Sequence, residues 1–402
     1  LDLLGQVEDA LAAFSAGDAE PVMALRSTLR QAIELRAHDE GGIASVRLEL
    51  LEDALREVGD VPRGNADSAW VARAERLDAE TQSPQSRLML VRWLAASWRF
   101  DEAEAALGTI SSDEVALEGT NAIAQAYGSA GRFDEAIPLY EKALADSARV
   151  RGDDHPDVLG ARNNLAVAYR VMGRLSEAIA LFEEVVADSV RVLGPDRPHT
   201  LASRGNLAVA YQEEGRLNEA IPLFEEVVAD SVRVLGPDHP HTLVSRYNLA
   251  GAYREEGCLD KAIPLYEGVL ADRVRILGAD HPHTLVSRID LAGAYQAAGR
   301  LGEATTLFEG VLADHARILG DDHPLTFTAR NALAGAYRAA GRLGEATTLF
   351  EGVLADHARI LGDDHPLTFT ARNALAGTYQ AAGRLSEAIS LFEEALAGRM
   401  RI

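Results

Sequence analysis

The sequence predicts an all-α, right-handed superhelical solenoid of helix-turn-helix repeats with an irregular helical N-terminal region. Three observations predict it. The first is a period. A segment opening on glycine recurs every 42 residues: GRFDEAIPLY from Gly131, GRLSEAIALF from Gly173, GRLNEAIPLF from Gly215, GCLDKAIPLY from Gly257, GRLGEATTLF from Gly299 and Gly341, and GRLSEAISLF from Gly383. The second is that unrelated positions keep the same period: Pro156, Pro198, Pro240, Pro282, Pro324 and Pro366, and seven tyrosines from Tyr127 to Tyr379. The third is near-identity. Units 299–340 and 341–382 differ only at Ala336 against Thr378 and Arg338 against Gln380. A fixed period of this length marks a stacked array.

The elements follow in order. Residues 1–82 read as a helical cap or degenerate repeats, with helices at about 2–16, 20–37, 43–58 and 66–80 and loops at Pro62-Arg63-Gly64-Asn65 and Gln82-Ser83-Pro84. Residues 83–112 read as a degenerate, shorter repeat. A helix is expected over 84–97, and Trp98-Arg99-Phe100-Asp101-Glu102-Ala103 then matches the segment from Gly131, 33 residues later. Trp70, Trp93 and Trp98 all lie before the regular array of 113–402.

Each regular unit reads as two helices. The first starts at its proline, as from Pro156 to about Met172, because proline's missing N–H would be unpaired at the first helical position anyway. Leu165, Ala166 and Tyr169 share one face, and Gly173 supplies the left-handed stop. The second runs from about Ser176 to Val192 on a stripe of Ala178, Phe182, Val185 and Ser189, and ends at Leu193-Gly194-Pro195.

The motif N-L-A-x-A-Y-x-x-x-G-R-x-x-E-A-I-x-L-F at 164–182 resembles the tetratricopeptide repeat. The 42-residue form, with its long second helix and the G-x-D-H-P-H-T-L junction at Gly236–Leu243, is similar to the repeat of kinesin light chains and their bacterial relatives. The resemblance covers about 113–402. It implies an array whose first helices line a concave surface, and a scaffold role in protein–protein interaction, in which groove asparagines and basic residues hold short peptides.

Composition narrows the function classes. Sixty-two acidic against 39 basic residues give a net charge of −23, which would repel a phosphate backbone. No nucleic-acid partner is therefore expected. No apolar run reaches membrane-spanning length and no basic-then-apolar leader opens the chain, so no membrane partner and a cytoplasmic location are expected. One cysteine, Cys258, leaves no intrachain disulfide and no cysteine-based zinc site. Leu1 is not a methionine, so a start that is missing or processed is expected. At the other end no polar capping helix is evident after Gly398. Leu391, Phe392 and Leu396 are therefore expected to be partly exposed, with self-association there or a continuing chain.

No catalytic signature is present: no phosphate-binding loop, no H-E-x-x-H, no G-x-S-x-G. Repetition itself argues against an enzyme, since a catalytic constellation brings unlike residues together once. No cofactor and no metal are expected. The histidines before the junction prolines (His155, His239, His281, His323, His365) are expected to pack or cap. Arg162, Arg204, Arg246, Arg288, Arg330 and Arg372 lie on the packed side and are expected to pair with carboxylates between units. Asp188 and Arg191, three apart and recurring, are expected to form a solvated helix edge.

The informative surface is the opposite side of the first helix. Its candidate peptide-binding residues are Asn121, Asn163, Asn164, Arg170, Asn206, Gln212, Tyr247, Asn248, Arg254, Asp290, Gln296, Asn331, Arg338, Asn373 and Gln380, with Gly251, Gly293, Gly335 and Gly377 beside them. An asparagine amide donates and accepts, and so suits an extended peptide backbone. Arginine grips a carboxylate with two N–H groups. Glycine permits close approach. Asp290, Ala332 and Ala374 interrupt the asparagine row and weaken the resemblance in the last units. The expected function is a scaffold binding a partner's peptide or helix in the groove. The alternative is the sensor or autoinhibitory C-terminal arm of a larger nucleotide-switch signalling ATPase or transcriptional regulator.

Overall fold

A computed structural model describes residues 68–399. The helices expected at 2–16, 20–37 and 43–58 and the loop at 62–65 lie outside them. Among the described residues every regular element is an α-helix. The chain divides into two compact units, 1–242 and 243–402.

The first unit contains α1 (Ser68–Thr81), α2 (Pro84–Ala96), α3 (Phe100–Leu107), α4 (Asp113–Ser129), α5 (Phe133–Arg151), α6 (Pro156–Val171), α7 (Leu175–Val192), α8 (Pro198–Glu213) and α9 (Leu217–Leu235). The second takes α10 (Pro240–Glu256) after its first turn, then α11 (Leu259–Leu277), α12 (Pro282–Ala297), α13 (Leu301–Leu319), α14 (Pro324–Ala339), α15 (Leu343–Leu361), α16 (Pro366–Ala381) and α17 (Leu385–Arg399). The helices expected at 66–80 and 84–97 correspond to α1 and α2.

The α6–α7 pair shows why the sequence folds this way. Gly173 adopts φ +73°, where a side chain would be strained, and the following Arg174 N–H turns back to the Tyr169 carbonyl at 2.9 Å. The chain reverses there. Alanines set the helix spacing: Ala166 and Ala178 are fully buried, which lets Phe182 fill the seam against Leu207 of the next repeat. The second unit repeats this with Ala292, Phe308 and Leu333, and then with Ala334, Phe350 and Leu375. In the last pair the corresponding α17 residues are open: Phe392 is 40% and Leu396 62% exposed, in line with the sequence reading.

The irregular pairs join the same core. Val71 and Ala74 of α1, Val91 and Trp93 of α2 and Phe100 of α3 share one apolar cluster with Tyr127 and Tyr140 of the regular array. Trp98 stands where the regular units have glycine, and it keeps the left-handed turn at φ +61°.

The junction histidines cap the first helices. The Nδ1 atoms of His155, His239, His281, His323 and His365 each accept the N–H two residues on, at 3.2 Å. An accepting Nδ1 places the proton on Nε2, so the caps need neutral imidazoles.

Two electrostatic expectations are corrected. Arg162 pairs with the second helix of its own helix pair, with Asp188 at 2.8 Å, and the contact recurs as Arg204–Asp230, Arg246–Asp272, Arg288–Asp314 and Arg330–Asp356. The hairpin folds the two helices antiparallel, which brings positions 26 apart together. Arg372 has Gly398 at that spacing and turns to Asp363 instead, at 2.5 Å. Asp188 is also more than a solvated edge. It receives Arg162 and Arg191 together, while Arg191 reaches Asp154 in the junction loop at 2.6 Å. Those two arginines hold the Asp188 carboxyl below its ordinary range against a smaller opposing effect of burial.

Candidate functional site

The first helices α6, α8, α10, α12, α14 and α16 each bury one face and turn the other outward. On α6 the buried set is Val158, Leu159, Ala161, Leu165, Ala166 and Ala168. Asn163, Asn164 and Arg170 lie between these positions and are half-buried. The same pattern half-buries Asn206 and Gln212 on α8, Tyr247 and Asn248 on α10, Asp290 and Gln296 on α12, Asn331 on α14 and Asn373 on α16. Arg254, Arg338 and Gln380 are exposed. Asn121 on α4 is half-buried, and its Oδ1 has no hydrogen-bond partner among the described residues.

In the first unit two of these positions meet. Asn206 Nδ2 donates to Asn163 Oδ1 at 3.2 Å, joining α8 to α6. Arg170 is ion-paired with Glu213 of α8, a residue outside the predicted set.

In the second unit a different cluster forms. The Tyr247 hydroxyl donates to Asp290, and Arg254 Nη1 approaches the same carboxylate at 3.2 Å. The Tyr266 ring meets Tyr247 edge-on with centroids 5.6 Å apart. The buried guanidinium of Arg273 lies 4.8 Å from the Tyr247 ring centre and donates to Ser287 Oγ at 2.7 Å and to the His283 carbonyl at 3.1 Å. Burial, then the bond to Asp290, pushes the Tyr247 hydroxyl above its ordinary value. Burial also pulls the Arg273 guanidinium below its own. Asp290 therefore interrupts the asparagine row because it closes a local polar network. Tyr266 and Arg273 were outside the predicted set. Their signal was the joint change to tyrosine and arginine, in one repeat, of the phenylalanine and serine that the first unit carries at 182 and 189 and again at 224 and 231.

Among the described residues no group of three or more His, Cys, Asp or Glu is placed to hold a metal ion, and no helix is long and apolar enough to cross a membrane.

A search of curated proteins gives no match. Among solved structures, the nearly identical TPR-like repeats of a candidate kinesin light chain from Podosopora anserina are 40% identical over 51% of this chain and 97% of that one, with a TM-score of 0.48. The quorum sensor NprR from B. thuringiensis is 14% identical, aligned over 99% of both chains, with a TM-score of 0.60. A signal transduction ATPase with numerous domains from Pyrococcus horikoshii, carrying a tetratricopeptide repeat sensor, is 15% identical over 87% of this chain and 54% of that one, with a TM-score of 0.58. At such identities the last two likenesses concern the fold. The tetratricopeptide repeat profile matches residues 116–188, 157–231, 200–257, 242–313, 289–355 and 328–401, and the chain belongs to the tetratricopeptide repeat family.

Proposed function

We propose that this chain is a protein-interaction scaffold whose outward first-helix face binds a peptide or helix of a partner protein. The observation that supports it most is the division of labour on the first helices. Leucine, alanine and tyrosine positions are spent on packing, while asparagine, glutamine, arginine and glycine hold the remaining face in both units. Amides that donate and accept at helix-to-helix intervals match the alternating groups of an extended backbone. The fold shared with a quorum sensor and with the sensor of a signalling ATPase fits a binding role. A sensor arm would put the same face to the same use.

The test is capture of peptides from a displayed random library, followed by single changes on each unit's face. Asn206→Ala and Asn248→Ala should each weaken a selected peptide that binds the changed unit by roughly fivefold, about 1 kcal/mol for one lost hydrogen bond, with the helical signal retained and stability lowered by no more than about 1 kcal/mol. Unaltered affinity in both variants would reject the proposal.

A further inference from the structure

We infer that Arg338 is the groove arginine that receives a carboxylate of the bound peptide, an inference that rests on the peptide-binding reading and sharpens it. Three first helices carry an arginine at the same position: Arg170, Arg254 and Arg338. Two are already neutralised. Arg170 pairs with Glu213, 43 residues on, and Arg254 with Asp290, 36 residues on. At those two spacings from Arg338 the sequence has Ala381 and Ala374. Both acids that occupy its counterparts are gone, and no ion pair or hydrogen bond joins its side chain to another among the described residues.

Arg338 nevertheless keeps its counterpart's seat. Its guanidinium carbon lies 5.9 Å from the Phe350 ring centre, as that of Arg254 lies 5.9 Å from Tyr266. Its Nη1 lies 3.4 Å from the point a Cβ would occupy at Gly377, where Arg254 Nη1 lies 3.7 Å from that point at Gly293. An exposed arginine is ordinarily just solvated. This one is held against a glycine of the next helix in the position where its counterpart grips a carboxylate. Around it Gly335, Ala374, Gly377 and Ala381 leave room. Asn331, two turns earlier on α14, and Asn373, one turn before Gly377 on α16, have amides with no hydrogen-bond partner among the described residues. A guanidinium so placed offers two parallel N–H groups to a carboxylate. The chain's charge of −23 opposes a run of acidic residues, so the ligand is a peptide with one carboxylate at this point and neutral or basic residues around it.

The test uses the full chain. Peptides selected from a displayed 12-residue random library are synthesised and titrated against the parent, Arg338→Gln and Ala374→Asp. The last variant keeps the arginine but restores the acid that closes Arg254. Selected peptides should share one acidic residue, and both variants should bind them tenfold or more weakly with unchanged melting. Replacing the acidic residue by its amide should weaken binding to the parent equally, with no further loss in Arg338→Gln. Amidating the peptide's C-terminus distinguishes a terminal carboxylate from a side chain. Selected peptides without a shared carboxylate, or undiminished binding by Arg338→Gln, would overturn the inference and leave the scaffold reading standing. Failure to select any peptide would overturn both.

Discussion

The two units share a packing scheme and differ in what their first-helix faces do with polar groups. In the first, Asn163 and Asn206 satisfy each other and Arg170 is closed by Glu213. In the second, Tyr247, Arg254 and Asp290 close one another on α10 and α12, while Asn331, Arg338 and Asn373 on α14 and α16 have no such partners among the described residues. The difference teaches that repeats equal in fold are not equal in chemistry. Whether a side chain on a first-helix face is available depends on the residues 36 and 43 positions further along, which sit on the neighbouring first helix.

The strongest way to test this comparison is to show that packing is common to both units. Leu207 and Leu333 occupy corresponding seams and are nearly fully buried. Leu207→Ala and Leu333→Ala should each destabilise by about 2–5 kcal/mol in urea unfolding. A loss confined to one unit would mean that the shared scheme is not a shared energy.

Next in size is the polar cluster. Asp290→Ala removes the acceptor of Tyr247 and the ion-pair partner of Arg254, and should destabilise by about 1–3 kcal/mol. Asn206→Ala in the first unit removes one neutral hydrogen bond and should destabilise by about 1 kcal/mol or less. Equal losses would erase the distinction drawn between the two faces.

The smallest effect is a response to acid. Burial lowers the His239 and His281 imidazoles from the ordinary 6.5, and neighbouring His241 and His283 lower them further. A depressed imidazole favours the neutral form in the folded state. Its contribution is therefore complete above about pH 6.5 and is lost as pH falls through the lowered folded value. Protonation also removes the Nδ1 acceptor of each cap. His281→Asn, which keeps a cap acceptor without titrating, should flatten the pH dependence of melting below pH 6.5. A slope as steep as the parent's would remove His281 from the account.

Much of this was legible in the residues. The 42-residue spacing placed every turn glycine and every first-helix proline, and the helix bounds follow within a residue or two. The match of Trp98 with Gly131 predicted a turn, although a tryptophan at φ +61° is not what local preference selects. Tertiary packing holds it there, with Phe100 stacked on Tyr127 at 3.9 Å just beyond the turn. The pairing of Arg162 was missed because helical angle says which face a residue takes but not which helix lies opposite. The self-closure of Arg170 and Arg254 was hidden for a related reason. Reading each row for its own chemistry ignores the acids of the adjacent row, Glu213 among them. Asp290 looked like a lapse in the asparagine row until Tyr247 and Arg254 were found on it.

The central claim is that a peptide lies along the first helices, and photo-cross-linking tests it most directly. A benzoylphenylalanine placed at Gly335, where nothing lies within 4 Å of a Cβ, stands on the first-helix face of the second unit. The same group at Val274, 39% exposed on the second helix α11, lies off that face. With a library-selected peptide whose binding depends on Arg338, irradiation should link the peptide through position 335 and leave position 274 unlinked. Linkage through 274 with none through 335 would contradict the account.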